Sequence, residues 1–244
     1  MNKTATEDKK IILITGATDG FGLLVAKLMS EDENYKVVIC GRNIHRVSKT
    51  MVQLGIDGYV CDVRSDIDCQ NFVNFVIEKY SKIDILINNA GILFDGDIDE
   101  NTYDEISILV DTNIKGVEFM THAVVPFMKI QKSGYIINIG SQSGLYHRHK
   151  RSLYNSSKWA VTGFTKCLQV DLAKYGIRVT GFYPGQMKTS IFQKSQSIND
   201  LSKALDPQKA AEVLRYIIKL DSSILIPEIG IKSLSQTSTE EICY

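Results

Sequence analysis

Residues Lys10 to Gly22 read KIILITGATDGFG, and the fold is decided by this stretch. Lys10–Thr15 is a continuous apolar run, the pattern of a strand buried on both faces. Gly20 to Ser30 follows with Leu23, Leu24, Ala26, Lys27 and Leu28 at helical spacing. The turn between them holds Gly16, Gly20 and Gly22, spaced G-x-x-x-G-x-G rather than the commoner G-x-G-x-x-G. Glycines permit a tight turn and close backbone approach to a pyrophosphate, and the helix N-terminus adds unpaired N–H groups and positive dipole. Plain turn chemistry would also use glycine, but a strand before and a helix after is the context a dinucleotide site demands.

The same alternation continues along the chain. Further strands are expected at Lys36–Cys40, Gly58–Cys61, Asp84–Asn88, Gly134–Ile139, Gly176–Phe182 and Ile224–Ile231. Helices are expected at Arg42–Gln53, Ser65–Tyr80 and Ser152–Tyr175, and another begins at Pro207. Asn101–Gln131 reads as one long helix or two in series, with Pro126 inside it. Strands alternating with helices of this length mean βαβ units with right-handed crossovers. The expected fold is therefore α/β: a single-domain, Rossmann-type, doubly wound parallel sheet of about seven strands with helices on both faces. No repeat or linker divides residues 1–244, and the polar segments 1–9 and 233–244 are expected to be flexible.

Composition excludes several classes of function. The 28 basic residues equal the 28 acidic ones, so no overall field draws the chain to nucleic acid or to an anionic membrane. No apolar run approaches the ~20 residues of a spanning helix, and Met1 to Lys10 is polar and lacks the apolar centre of a signal peptide. The 5 cysteines are scattered, without disulfide or metal-ligand spacing, and the 4 histidines have no ligand partners at metal-site spacing. A protein of a reducing compartment, the cytoplasm, with no metal is expected.

At the end of the second strand, where a dinucleotide site usually carries an acid for the ribose 2′-hydroxyl, the chain has Gly41-Arg42. Arg42 can make charge-assisted bonds to a 2′-phosphate, which favours NADP(H) and leaves NAD(H) as the alternative. Asp19, an acid in the phosphate turn itself, pulls the other way.

With these motifs in view, the chain resembles the short-chain dehydrogenase/reductase family of the classical type, from about Lys10 to about Ile231. Thr15–Gly22 is similar to the family's cofactor turn, Asn88-Asn89-Ala90-Gly91 to its NNAG element and Tyr154-Asn155-Ser156-Ser157-Lys158 to its YxxxK pair. Pro184-Gly185-Gln186-Met187-Lys188-Thr189 is similar to its PG…T segment. The resemblance implies catalysis by Ser141, Tyr154, Lys158 and Asn113. Tyr154 would give or take the proton, and Ser141, thirteen residues before it, would hold the substrate oxygen. Lys158 would also bind the nicotinamide ribose, and Asn113 would hold a proton-relay water, unless it merely packs. Ser143 is a rival to Ser141, and Gly140 replaces the serine that the family often has there.

Tyr154 and Lys158, four residues apart on a helix, share one face. An ammonium beside the phenol favours phenolate and should bring its pKa down from about 10 towards the working pH. The resemblance further implies cofactor contacts from Gly16, Thr18, Asp19, Gly20, Phe21 and Gly22 in the first turn, and from Arg42. Asp62 and Val63 would meet the adenine, and Asn89, Ala90 and Gly91 the adenosine ribose side, while Asn88 would brace its neighbouring strands. Pro184, Gly185, Met187 and Thr189 would border the nicotinamide, Met187 chiefly through its backbone.

The implied activity is an NADP-dependent interconversion of an alcohol with a ketone or aldehyde, a carbonyl reductase in one direction. An epimerase or dehydratase on the same scaffold is an alternative, and so is a nonenzymatic dinucleotide sensor, although a sensor need not keep Ser141, Tyr154 and Lys158. The substrate pocket is expected from Leu145–Leu153 and Thr189–Asp206. Within the first, His147-Arg148-His149-Lys150-Arg151 suggests attraction to an anionic substrate, though charge runs are usually solvated loops. A homodimer or homotetramer is expected from the resemblance alone.

Overall fold

The structure, a computed structural model, describes residues 9–191 and 201–236. Seven strands form one parallel sheet: β1 (Lys10–Thr15), β2 (Tyr35–Gly41), β3 (Asp57–Val60), β4 (Ile85–Asn88), β5 (Gly134–Ile139), β6 (Ile177–Pro184) and β7 (Glu228–Ile231). Their order is β3-β2-β1-β4-β5-β6-β7, so the winding reverses between β1 and β4. Open α/β sheets bind ligands at the carboxyl ends of the strands at such a reversal.

Helices α1 (Gly20–Ser30), α2 (Ile44–Leu54), α3 (Asp66–Tyr80), α4 (Tyr103–Val110), α5 (Gly116–Gln131), α6 (Ser152–Ala173) and α7 (Pro207–Lys219) connect the strands. The alternation within β1 divides the core. Ile12 and Ile14 pack with Val25, Met29, Leu214 and Ile217 on one face. Ile11 and Leu13 pack with Phe72, Val76, Met120 and Val124 on the other. Each residue from Ile11 to Ile14 thus has a hydrophobic layer to enter, which is why the β1 run is apolar without interruption.

Local chemistry fixes the helix starts. Asp19, Asn43, Ser65, Thr102 and Asp206 each accept a backbone N–H at an N-cap, and Thr102 with Glu105 completes a capping box. The stretch from Asn101 forms two helices in series, with Pro126 inside the second. A wide π turn, Asp111–Lys115, lies between α4 and α5, and Asn113 is inside it. The final strand is shorter than the expected Ile224–Ile231. Pro227 has no N–H to give a ladder, and Arg178 and Thr180 side chains take up the Ile224 and Ile226 carbonyls instead.

Part of the C-terminal segment is tied down. Leu234–Gln236 forms a short turn, and Gln236 Nε2 donates to the Gln186 carbonyl at 2.9 Å. Residues 1–8, 237–244 and the stretch 192–200 of the expected substrate segment lie outside the described residues. Among the described residues no helix is long and apolar enough to cross a membrane, and no group of three or more His, Cys, Asp or Glu could hold a metal ion.

Candidate active site

A cleft of about 730 Å³ opens over the carboxyl ends of β1, β4, β5 and β6. At its centre lies the start of α6. Tyr154 and Lys158 are both buried, one turn apart on the same face. The Ser141 hydroxyl borders the same cleft and acts on the Tyr154 phenol, favouring its ionised form. Ser141 Oγ accepts the Ser143 N–H at 3.1 Å, so the two serines of this loop are partners, and Ser141 is the one that acts on the phenol. Gly140 precedes it because a Cβ there would collide with the Tyr183 ring.

Lys158 Nζ donates to the Ile139 carbonyl at 3.0 Å and stands 5.8 Å from the centroid of the Tyr154 ring. Burial pushes its pKa down to about 8. The Tyr154 pKa is raised, first by burial, with the Ser141 hydroxyl and the charges of Arg151 and Arg148 working against it. This corrects the sequence expectation that Lys158 lowers the Tyr154 pKa. The ammonium lies over the ring and bonds a backbone carbonyl, so loss of water around the phenol outweighs it. Tyr154 is a protonated phenol at neutral pH.

Asn113 does not border the cleft. It is buried beneath it, with Oδ1 accepting the Ile92 N–H at 2.8 Å and Nδ2 donating to the Ile92 carbonyl at 2.9 Å and Ser157 Oγ at 3.1 Å. Both N–H groups are used, and one Oδ1 lone pair remains. Gly91 fits above it because a Cβ would lie 3.4 Å from Asn113 Oδ1 and 3.7 Å from Lys158 Nζ.

The glycines of the first turn separate by role. Gly16 has φ +63°, and a Cβ there would press on the Ala90 backbone at 2.8 Å. Gly22 is not in the cleft wall either: its missing Cβ makes room for the Asn89 amide and the Gly16 carbonyl. Gly20, with φ +55° and nothing nearer than Ser190 Oγ at 3.6 Å, faces the open groove. It suits close approach of a ligand phosphate to the N-terminus of α1. Thr18 lies against Gly41, and Phe21 stacks on Phe182 with centroids 5.9 Å apart, each bordering the cleft with its remaining surface.

Sequence reasoning missed the Thr15 hydroxyl, which accepts the N–H groups of Asn89 and Ala90 at 3.0 Å each. Asn89 Nδ2 returns to the Thr15 carbonyl at 2.9 Å, so the β4 end is clipped to the glycine turn. Asn88 braces the strands as expected, donating to Thr121 and Asn138.

At the adenosine end three arginines surround two acids. Arg42 is exposed at the cleft mouth. Asp19 Oδ1 accepts the Gly20 N–H at 2.7 Å, and its Oδ2 pairs with Arg46 at 3.3 Å. Asp62 is gripped by Arg64 through Nε at 3.0 Å and Nη2 at 2.5 Å, which holds its carboxyl below the usual range. Neither Arg46 nor Arg64 was singled out from the sequence; their spacing after Arg42 and Asp62 was the available signal. Val63 borders the cleft while packing on Gly116.

Pro184, Gly185, Met187 and Thr189 border the opposite side, after β6. The Gly185 N–H donates to Ile231 at 2.7 Å, and Met187 bridges to Leu205. The Met187 side chain belongs to the core, which leaves its backbone to the cleft.

The glycine turn, the cleft at the sheet reversal and the arginines at its outer end fit a phosphorylated dinucleotide. The comparisons agree. A family model described as short chain dehydrogenase matches residues 10–200. An uncharacterized oxidoreductase of Staphylococcus aureus (strain MW2) is 34% identical over 226 residues, which is 91% of this chain and 96% of the relative. The closed form of a serine dehydrogenase complexed with NADP+ superposes with a TM-score of 0.88 at 28% identity, covering 94% of this chain and 97% of that one. An actinorhodin polyketide ketoreductase with NADPH gives a TM-score of 0.85 at 30% identity over 94% and 98%. With the sheet, the reversal-point cleft and a model match over most of its length, the chain belongs to the short-chain dehydrogenase/reductase family of NAD(P)-dependent oxidoreductases.

Proposed function

We propose that the protein is an NADP(H)-dependent oxidoreductase that interconverts an alcohol with a ketone or aldehyde, using Ser141, Tyr154 and Lys158. The observation that carries this reading is the convergence of the Ser141 hydroxyl and the Tyr154 phenol on one cleft, with Lys158 one turn further along the same helix face. Bound NADPH would supply a hydride to the carbonyl carbon, and that chemistry belongs to the cofactor. The protein supplies orientation and a proton. Ser141 and Tyr154 offer two hydroxyls to one substrate oxygen, and the raised Tyr154 pKa keeps the phenol protonated, ready to donate as the oxygen gains negative charge.

Lys158 reaches the cleft with donors beyond the one it gives Ile139, which suits it to the ribose hydroxyls. Asn113 fixes the Ile92 backbone beside it, and its remaining lone pair is the place for a relay water. Gly20 and the α1 N-terminus would take the pyrophosphate, and Arg42 with Arg46 the 2′-phosphate. The free described cysteines Cys40, Cys61, Cys69 and Cys167 suit a cytoplasmic protein. Exposed Trp159 and Val170 on α6 suit a homo-oligomer.

The test is a panel of ketones and aldehydes with NADPH, followed by loss of its absorbance. Consumption that requires both carbonyl and Tyr154 supports the reading. Tight NADPH binding with no turnover across aliphatic, aromatic and acidic carbonyls would overturn it in favour of a nonenzymatic dinucleotide sensor.

A further inference from the structure

Helix α6 carries Tyr154 and Lys158, yet it starts differently from the helices that open at Asp19, Asn43, Ser65, Thr102 and Asp206. Its N-cap, Arg151, gives no side-chain cap to the backbone. The Arg151 carbonyl accepts the Asn155 N–H at 2.7 Å, so the helix ladder begins three residues before the phenol. The Arg151 side chain holds this start in another way. Its Nε donates to Asp95 Oδ1 at 2.8 Å and its Nη2 to Oδ2 at 3.5 Å, a two-point contact with the loop that follows β4. The two side chains are 9% and 19% exposed, so salt screens this pair little.

Other contacts join the same two loops. The Gly96 N–H donates to the Lys150 carbonyl at 2.8 Å, and Lys150 Nζ lies 3.6 Å from Asp97. Lys150 has φ 56°, a left-handed conformation that is strained for a residue with a Cβ and is held by its surroundings. The basic run seen in the sequence is thus partly matched by acids of the neighbouring loop. Lys150 and Asp97 are both exposed and add little, which leaves the buried Arg151–Asp95 pair as the stronger charged link. Leu93, from the same loop as Asp95, packs with Leu153 and Tyr154 in one buried cluster. The loop after β4 therefore grips the first turn of α6 by charge at residue 151 and by apolar contact at residues 153 and 154.

We propose that Asp95 and Arg151 are positioning residues, whose ion pair ties the loop after β4 to the start of α6 and fixes the Tyr154 hydroxyl for proton transfer to the substrate oxygen. This rests on the reading of Tyr154 as the proton donor and adds what holds it there. The two charges also act on the phenol with opposite signs. Arg151 and Arg148 favour its ionised form, as Ser141 does, whereas Asp95 opposes it, and Lys158 stands 5.8 Å from the ring centroid. Neutralising one member of the pair should move the phenol's titration in a direction set by the member removed.

The test uses Asp95→Asn, Arg151→Gln and the two together. In each, kcat for a carbonyl that the unaltered enzyme reduces should fall about ten- to a hundredfold, the cost of a displaced reacting group, while KM for NADPH stays within about twofold. Tyrosine isotopically labelled at Cζ and read by NMR reports the phenol without turnover, its Tyr154 signal assigned by loss in Tyr154→Phe. That signal should titrate at lower pH in Asp95→Asn and at higher pH in Arg151→Gln, and near its original position in the double variant. Removing one member of a buried ion pair can unfold a protein, so the double variant, which removes both charges, decides by its kcat if a single one does not fold. Unchanged kcat in the double variant, shifts of the same sign in the single ones, or a fall in kcat matched by an equal rise in KM for NADPH overturns the proposal. Opposite shifts without turnover of any carbonyl would keep the positioning pair and remove the oxidoreductase reading.

Discussion

Asp19 caps α1 with one carboxylate oxygen and holds Arg46 with the other, at 2.7 Å and 3.3 Å. In the sequence this acid argued against a phosphate near the first turn. The ion pair reverses that argument, because the acid's charge is matched and a guanidinium is brought to the cleft mouth beside Arg42. Both side chains are substantially exposed, at 37% and 55%, so the pair orients Arg46 more than it stabilises the fold. NADPH is expected to bind about ten- to a hundredfold more tightly than NADH. Arg42→Asp should invert the order by removing a donor and adding repulsion. Arg46→Ala should cost NADPH about fivefold, as for an exposed pair, and leave NADH unchanged. Fluorescence titration of both cofactors measures this, and equal affinities in the unaltered protein would remove the 2′-phosphate assignment.

Tyr154→Phe deletes the hydroxyl that faces the cleft with Ser141 while keeping the buried ring. Turnover should fall by at least about a hundredfold, the usual weight of general acid catalysis. NADPH affinity should stay within about twofold, because the phenol acts on the substrate oxygen, and steady-state kinetics with a parallel binding titration tests both halves. A variant that keeps most of its activity would disprove the proton-donor role.

The sequence was legible where one local signal sufficed. The apolar run of β1, the glycine turn and the four-residue step from Tyr154 to Lys158 each announce a backbone geometry by spacing alone. What could not be read depends on contacts between distant segments. Nothing in the order of residues shows Thr15 clipping Asn89 and Ala90, or Asp95 and Asp97 thinning out the basic run. The π turn around Asn113 was hidden inside an ordinary helical pattern, since its extra residue widens one turn without altering composition. The pKa of Tyr154 was misjudged because helical spacing gives the nearness of a charge and not the depth of burial.

Gly20 and Gly22 should answer alanine differently. At Gly22 a Cβ meets the Asn89 amide and the Gly16 carbonyl, a packed junction with no slack. Gly22→Ala should cost about 1–3 kcal/mol of stability, as overpacking does, with or without cofactor. At Gly20 the space is open, but φ is +55°, so alanine adds about 1 kcal/mol of backbone strain and obstructs the phosphate approach. Gly20→Ala should therefore be the milder change in urea unfolding and the more severe in NADPH affinity. The reverse ranking would mean that Gly20 serves packing and that the pyrophosphate lies elsewhere.

Lys158 links the site to pH. Burial lowers its pKa to about 8 in the folded protein, against about 10.4 in an unfolded chain. Between those values the unfolded chain binds more protons than the folded one, so this lysine's contribution to stability rises with pH. Below the folded value both states are protonated, and the full cost of burying the ammonium is present. Lys158→Met removes the titration, and the Ile139 carbonyl it leaves without a donor adds a pH-independent cost. The stability of the unaltered protein relative to Lys158→Met should therefore climb from pH 8 towards pH 10 in urea unfolding, and a flat difference would contradict the burial argument. Cofactor binding has the opposite sign. If the ammonium donates to ribose hydroxyls, NADPH favours the protonated form, and its affinity should fall as pH rises through about 8 in the unaltered protein. In Lys158→Met the affinity should be lower throughout and carry no step at that pH, and a step that survived the substitution would assign the titration to another group.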